Sequence, residues 1–124
     1  MIHLDTHVLL WLYEKGEAAL GKTGRRLVEQ HPILVSPAVM LELEMLHEIG
    51  RMRVGATQVI ESLNSTFGLQ ICDLPFQSTM VHALREGWTR DPFDRLIVAN
   101  AKAAKAALVS KDQIILKNYS RAVW

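Results

Sequence analysis

A chain of 124 residues and 14.0 kDa is long enough to bury a core of its own and is read as one domain over residues 1–124. With 49% hydrophobic and 22% charged residues it has the composition of a soluble globular protein, which excludes a disordered or fibrous chain. The formal net charge is +1 and the basic residues are scattered from Lys15 to Arg121, so no polybasic arm exists and any nucleic-acid partner must be met by a folded surface.

Met1 to Leu4 predict a short strand ending at Asp5, and Thr6 to Tyr13 a helix. Because MIHLD has neither a basic segment nor a long apolar run, no signal peptide is expected, and no stretch reaches membrane-spanning length. A glycine-rich break from Gly21 to Gly24 precedes a helix over Arg25 to Gln30, which His31-Pro32 stops. Ile33 to Val35 predict a buried strand. Ser36-Pro37 is a cap followed by a proline at the first helical position, and that helix runs to Gly50. After the turn RMRVG comes a helix from about Ala56 to Thr66, closed by Gly68, and then a strand from Leu69 to Cys72. Cys72 is the only cysteine; lying in the apolar run LQICDL, it reads as a buried thiol in a reducing cytoplasm. Phe76 to Trp88 predict a helix with Met80, Ala83 and Leu84 inward.

The stretch RDPFDRLIVAN, Arg90 to Asn100, repeats the cap-plus-proline start at Asp91-Pro92 and places Asp94 in the first turn, near the positive end of the helix. Ala107 to Val109 predict a fourth strand, leading to Ser110-Lys111-Asp112, a short helical or irregular piece to Tyr119, and a last strand at Ala122 to Trp124. Short apolar strands alternating with helices point to an α/β fold: a parallel sheet of four to five strands with helices on both faces. Ligands of such sheets bind beyond the carboxyl ends of the strands, where strand order reverses. If the first and fourth strands are neighbours, Asp5 and Asp112 share that crevice.

Glu42 is the most informative single residue. At about 100° per residue it falls within the arc of Ala38, Val39, Met45, Leu46 and Ile49, expected to face the core, while Glu44 and Glu48 point away. A carboxylate there is costly unless an arginine or a cation pairs with it, or it marks the edge of the apolar face. Taken singly, Asp5, Asp91, Asp94 and Asp112 read as helix caps or first-turn acids. Taken together, acids at two strand ends, an inward helix face and a helix mouth suit a divalent cation, with Mg²⁺ or Mn²⁺ favoured over zinc by an all-oxygen donor set. Such clusters support phosphodiester hydrolysis, using one or two ions. The five histidines lack metal-ligand spacing, and phosphate loops, nucleophile elbows and CxxC pairs are absent.

LDTHVLLWL, SPAVMLELEMLHEIGRM, DPFDRLIVANA and LVSKD, in that order, resemble the motifs of PIN-domain ribonucleases, in particular VapC-type toxins of toxin–antitoxin pairs. The resemblance covers nearly the whole chain. It implies a single PIN domain, a Rossmann-like three-layer sandwich, Mg²⁺- or Mn²⁺-dependent endoribonuclease activity in the cytoplasm, a homodimer, and neutralisation by a small VapB-like antitoxin. By motif position, Asp5, Glu42, Asp94 and Asp112 are the catalytic and metal-binding acids. Asp91 caps the helix, supports the outer shell or ligates directly, and Thr6 and Ser110 would orient waters around the ion. The helix carrying Glu42 departs from the family in lacking a basic residue a turn later, so Arg51, Arg53, Arg90 and Arg95 are the candidates for RNA phosphate contacts. The rival readings are a catalytically inactive PIN-fold binding module, discriminated by metal binding, and a phosphoacceptor receiver domain, for which the chain supplies no convincing aspartate–lysine pair.

Overall fold

The computed structural model describes all 124 residues. Strand β1 (Ile2–Leu4) lies at the centre of a five-stranded sheet, with β2 (Ile33–Val35) and then β3 (Gln70–Ile71) on one side and β4 (Ala107–Val109) and then β5 (Ala122–Val123) on the other. Every pairing is parallel, with Ile2 opposite both Ile33 and Ala107, and Leu4 opposite Val109. The sheet and its helices form a three-layer α/β sandwich, as the alternation of apolar triplets and helical segments requires. Strand order turns back between β1 and β4, so the seam between those two strands is the topological switch point.

Seven helices connect the strands: α1 (Thr6–Lys15), α2 (Lys22–Gln30), α3 (Pro37–Glu48), α4 (Ala56–Phe67), α5 (Phe76–Ala83), α6 (Pro92–Ala103) and α7 (Gln113–Asn118). The predicted caps close as the sequence dictates. The Ser36 side chain accepts the Ala38 N–H, Asp91 accepts those of Phe93 and Asp94, and Gly68 ends α4 in the left-handed region at φ 70°. One continuous core, including Leu4, Leu9, Leu43, Ile97, Leu108 and Ile115, fills the space between sheet and helices. No helix is long and apolar enough to cross a membrane.

Three elements depart from the sequence reading. Helix α2 begins at Lys22 and takes in Gly24, where a Cβ would stand 2.6 Å from Val109 Cγ1; the missing side chain lets the helix lie close against β4. Helix α5 ends at Ala83 rather than Trp88, and Leu84, expected inward, is 75% exposed. The chain turns there because Glu86 dives into the interior, where it pairs with Lys102 of α6 and accepts the Trp88 indole N–H. On α3 the residues buried against the core are Val39 and Leu43, whereas Met45 and Ile49, placed in the inward arc, are exposed. The helix has two apolar faces, and the sheet takes the one that leaves Glu42 half-buried on its shoulder.

Candidate functional site

The acids assemble from the seam outward. Where β1 ends, the Asp5 backbone N–H donates to Val109 O at 3.0 Å, so the two central strands terminate together. Asp5 is itself the N-cap of α1: its Oδ1 accepts the Thr6 N–H at 2.8 Å. The second oxygen, Oδ2, accepts the Ser110 hydroxyl at 2.8 Å across the seam, and Ser110 Oγ in turn accepts the Asp112 N–H at 3.1 Å. Ser110 is wholly buried and ties the ends of β1 and β4 to the cap of α7. Asp112 and Asp91 spend one oxygen each on capping, Asp112 Oδ1 on the N–H groups of Ile114 and Ile115 and Asp91 Oδ1 on those of Phe93 and Asp94. Each keeps the other oxygen for a ligand.

Asp5, Glu42, Asp91, Asp94 and Asp112 line one cleft of about 640 Å³. None of them is ion-paired, for the chain's two ion pairs, Arg25–Glu29 and Lys102–Glu86, lie elsewhere. The electrostatic consequence is felt most at Asp94, pushed up to about 7 by burial first and then by the charges of Asp91, Asp5, Asp112 and Glu42. Burial also raises Asp5, opposed by its bonds to Ser110 and Thr6. It raises Glu42 as well, opposed by the nearby Thr6 hydroxyl, which is buried and finds no partner within hydrogen-bonding distance. As the side chains stand, no three acid, imidazole or thiol groups close into a shell around a common point. The donor set is nonetheless all oxygen, several-fold anionic and partly desolvated, with one orphaned hydroxyl beside it; these properties fit a hard divalent cation.

Around the acids stand four further side chains. His7, Trp11, Lys111 and Gln113 complete the lining of the cleft. His7 and Trp11, one turn apart on α1, share the outward face of a helix whose other faces hold Val8, Leu9 and Leu12 in the core, a spacing visible in the sequence. None of the four arginines singled out lines the cleft. Arg90 donates to Gly87 O and Arg95 Nε to Thr89 O, bracing the loop that precedes α6, while Arg51 and Arg53 border a separate hollow beside Tyr13 and Glu14.

The comparisons with known proteins agree with this architecture. Among solved structures, the chain is similar to one described as VapBC2 from Rickettsia felis bound to a DNA fragment from their promoter, at 19% identity and a TM-score of 0.68, covering 94% of this chain and 92% of that one. It is similar also to a toxin–antitoxin complex from Klebsiella pneumoniae, at 16% identity and a TM-score of 0.70, covering 100% of this chain and 97% of that one. At these identities the likeness is one of fold. No curated protein gives a significant match. The PIN domain family matches residues 2–121, nearly the whole chain, and with the parallel sheet and its switch-point cleft this places the chain in the PIN domain family.

Proposed function

We propose that the chain, as a single PIN domain, is a metal-dependent endoribonuclease of the VapC type, the toxin of a type II toxin–antitoxin pair acting in the cytoplasm. The observation that carries the reading is the gathering of Asp5, Glu42, Asp94 and Asp112, from four separate segments, in one cleft with no cationic side chain paired to them. Those four side chains would hold one or two Mg²⁺ or Mn²⁺ ions, which supply a Lewis acid for the phosphoryl oxygen and an activated water. Ser110 fixes the Asp5 carboxylate through its hydroxyl, and Thr6 presents a second hydroxyl beside Glu42. Asp91, with Oδ1 committed to the helix, supports Asp94 from the outer shell. Arg51, Arg53, Arg90 and Arg95 would meet RNA phosphates away from the cleaved bond.

The partners follow from the same reading: a second copy of the chain and a small VapB-like antitoxin, as the solved toxin–antitoxin complexes of similar fold suggest. Incubating cellular RNA with the purified protein and Mg²⁺, then mapping the new ends, tests the activity. Asp5→Asn and Asp94→Asn are each expected to lower cleavage about 100-fold or more while leaving the circular dichroism spectrum unchanged. Parental cleavage by folded Asp5→Asn protein, or cleavage that persists in EDTA, would sink the proposal.

A further inference from the structure

We propose that Trp11, Trp124 and Lys111 form a platform that receives an unpaired nucleobase of the RNA beside the carboxylate cleft; the RNA part of this rests on the nuclease reading above. Trp11 is the one hydrophobic residue lining the cleft, and it remains half-exposed there rather than sinking into the core. Trp124, directly after β5, meets it edge to face, with ring centroids 5.5 Å apart and planes at 71°, so the two indoles do not cover one another by stacking. Lys111, exposed and likewise lining the cleft, holds its Nζ 5.7 Å from the centroid of Trp11 and 5.6 Å from that of Trp124.

The seat of Trp124 is built into the fold. A Cβ at Gly21 would fall 2.5 Å from Trp124 Cδ1, so the absence of a side chain at position 21 is what admits the indole. Parallel pairing of β5 with β4 then delivers Trp124 to the same edge of the sheet as Lys111 and Asp112.

These groups answer a problem that the acids leave. Divalent ions on the carboxylates would engage the phosphodiester but hold no base, and none of the arginines lines the cleft, so binding energy for the bases beside the cleaved bond must come from other groups. Indole faces attract bases of any sequence, and a neighbouring ammonium attracts the phosphate between them. A duplex keeps its bases stacked on one another, so the platform selects single strands and loops. A polypeptide partner could use the same indoles for apolar contact, but the ammonium poised over both rings beside a phosphodiester-cleaving cleft favours RNA.

The test uses the full chain carrying Asp94→Asn, so that RNA stays intact, with a short labelled single-stranded RNA and its matched duplex, read by anisotropy and by intrinsic tryptophan fluorescence. The single strand is expected to bind more tightly than the duplex and to quench the fluorescence. Adding Trp11→Ala should weaken single-strand binding roughly 5- to 100-fold and leave duplex binding unchanged, with Trp11→Phe retaining most of the affinity. Because Trp11 is half-buried, Lys111→Met at an exposed position gives an independent check: single-strand affinity should fall several-fold and its salt dependence should flatten. Parental single-strand affinity in both Trp11→Ala and Lys111→Met overturns the platform and leaves the indoles to a polypeptide. The two readings fail separately. An otherwise unaltered chain that binds and quenches but never cuts removes the nuclease, whereas one that cuts, with parental KM in both platform variants, removes only the platform.

Discussion

Asp94 carries the largest electrostatic burden of any single residue in the cleft, and its position predicts a conflict between stability and function. Its carboxyl is held near 7, against an ordinary value of 3.8, by burial and by four neighbouring acids. Between about pH 4 and pH 7 the folded chain therefore keeps a proton that the unfolded chain has lost, and the fold gains stability as pH falls through that window. Above pH 7 the charged carboxylate counts fully against the fold. His3 acts in the opposite sense: burial lowers it to about 4 from 6.5, so its contribution is lost as pH falls below 6.5. It is common to the parent and to Asp94→Asn, however, and the difference between the two isolates Asp94. Discounted for a half-exposed group, the relief in the variant is about 1–2 kcal/mol, or roughly 3–8 °C in Tm. In EDTA at pH 8, Asp94→Asn should melt higher than the parent by that margin, and the gap should close toward pH 5. Added Mg²⁺ should raise the melting point of the parent more than that of the variant. Coincident melting curves across the pH range would show that the acids do not repel one another through Asp94.

Among the elements, the segment from Leu84 to Asp91 decides where α6 begins, and with it where Asp91 and Asp94 point. Its anchor is Glu86, 2% exposed, which pairs with Lys102 and accepts the Trp88 indole N–H. Glu86→Ala would strand a largely desolvated ammonium and an indole donor. Since Lys102 is still partly exposed, the loss should be about 2–3 kcal/mol, below that of a fully buried pair. Chemical denaturation checks the figure, and a change under 0.5 kcal/mol would mean that water replaces the carboxylate at little cost. This element also shows where the sequence is mute. Ser36-Pro37 and Asp91-Pro92 announce their helices because cap and proline act within one turn, and IHL, ILV and ALV announce strands because a short apolar run rich in branched side chains is itself a local pattern, although its partners are distant. Glu86 is buried only because Lys102, on the next helix, comes to meet it, and no local pattern encodes that meeting. The orientation of α3 was hidden for a related reason, since a helix apolar on two faces leaves the sheet to choose between them. At the cleft, Asp5, Asp91, Asp94 and Asp112 were legible through their position after strands and at helix mouths, whereas Glu42, within α3, was reached through an inward arc that the sheet only partly adopts. Trp124 was not legible, because only the pairing of β5 with β4 brings it to Trp11.

The face of α3 that the sheet declines leaves Leu41, Met45 and Ile49 exposed on the molecule's surface. Of eight exposed large hydrophobic residues, six belong to α3, α5 and their C-caps: Leu41, Met45 and Ile49, and Phe76, Val81 and Leu84. Leu41 and Phe76 line a common cleft of about 330 Å³ with Phe93 and Leu96, so α3 and α5 each bring an exposed apolar side chain to it. At the same cleft, Asn100 is buried with its Oδ1 unpaired. An apolar surface of this kind in water favours association, and a second copy of the chain is the occupant that the proposed homodimer supplies. In a two-fold interface every residue appears twice, so a single substitution places two like charges in the contact. Met45→Glu should therefore cost association about 3 kcal/mol or more, roughly 150-fold in Kd. The monomer, in which position 45 is already exposed, should keep its far-ultraviolet spectrum. Light scattering coupled to size exclusion is expected to give a mass of twice the chain for the parent and of one chain for Met45→Glu, with Lys117→Glu, on the exposed side of α7, as a charge control that stays dimeric. If the parent ran as a monomer at every concentration, or Met45→Glu as a dimer, the α3–α5 face would not be where two copies meet.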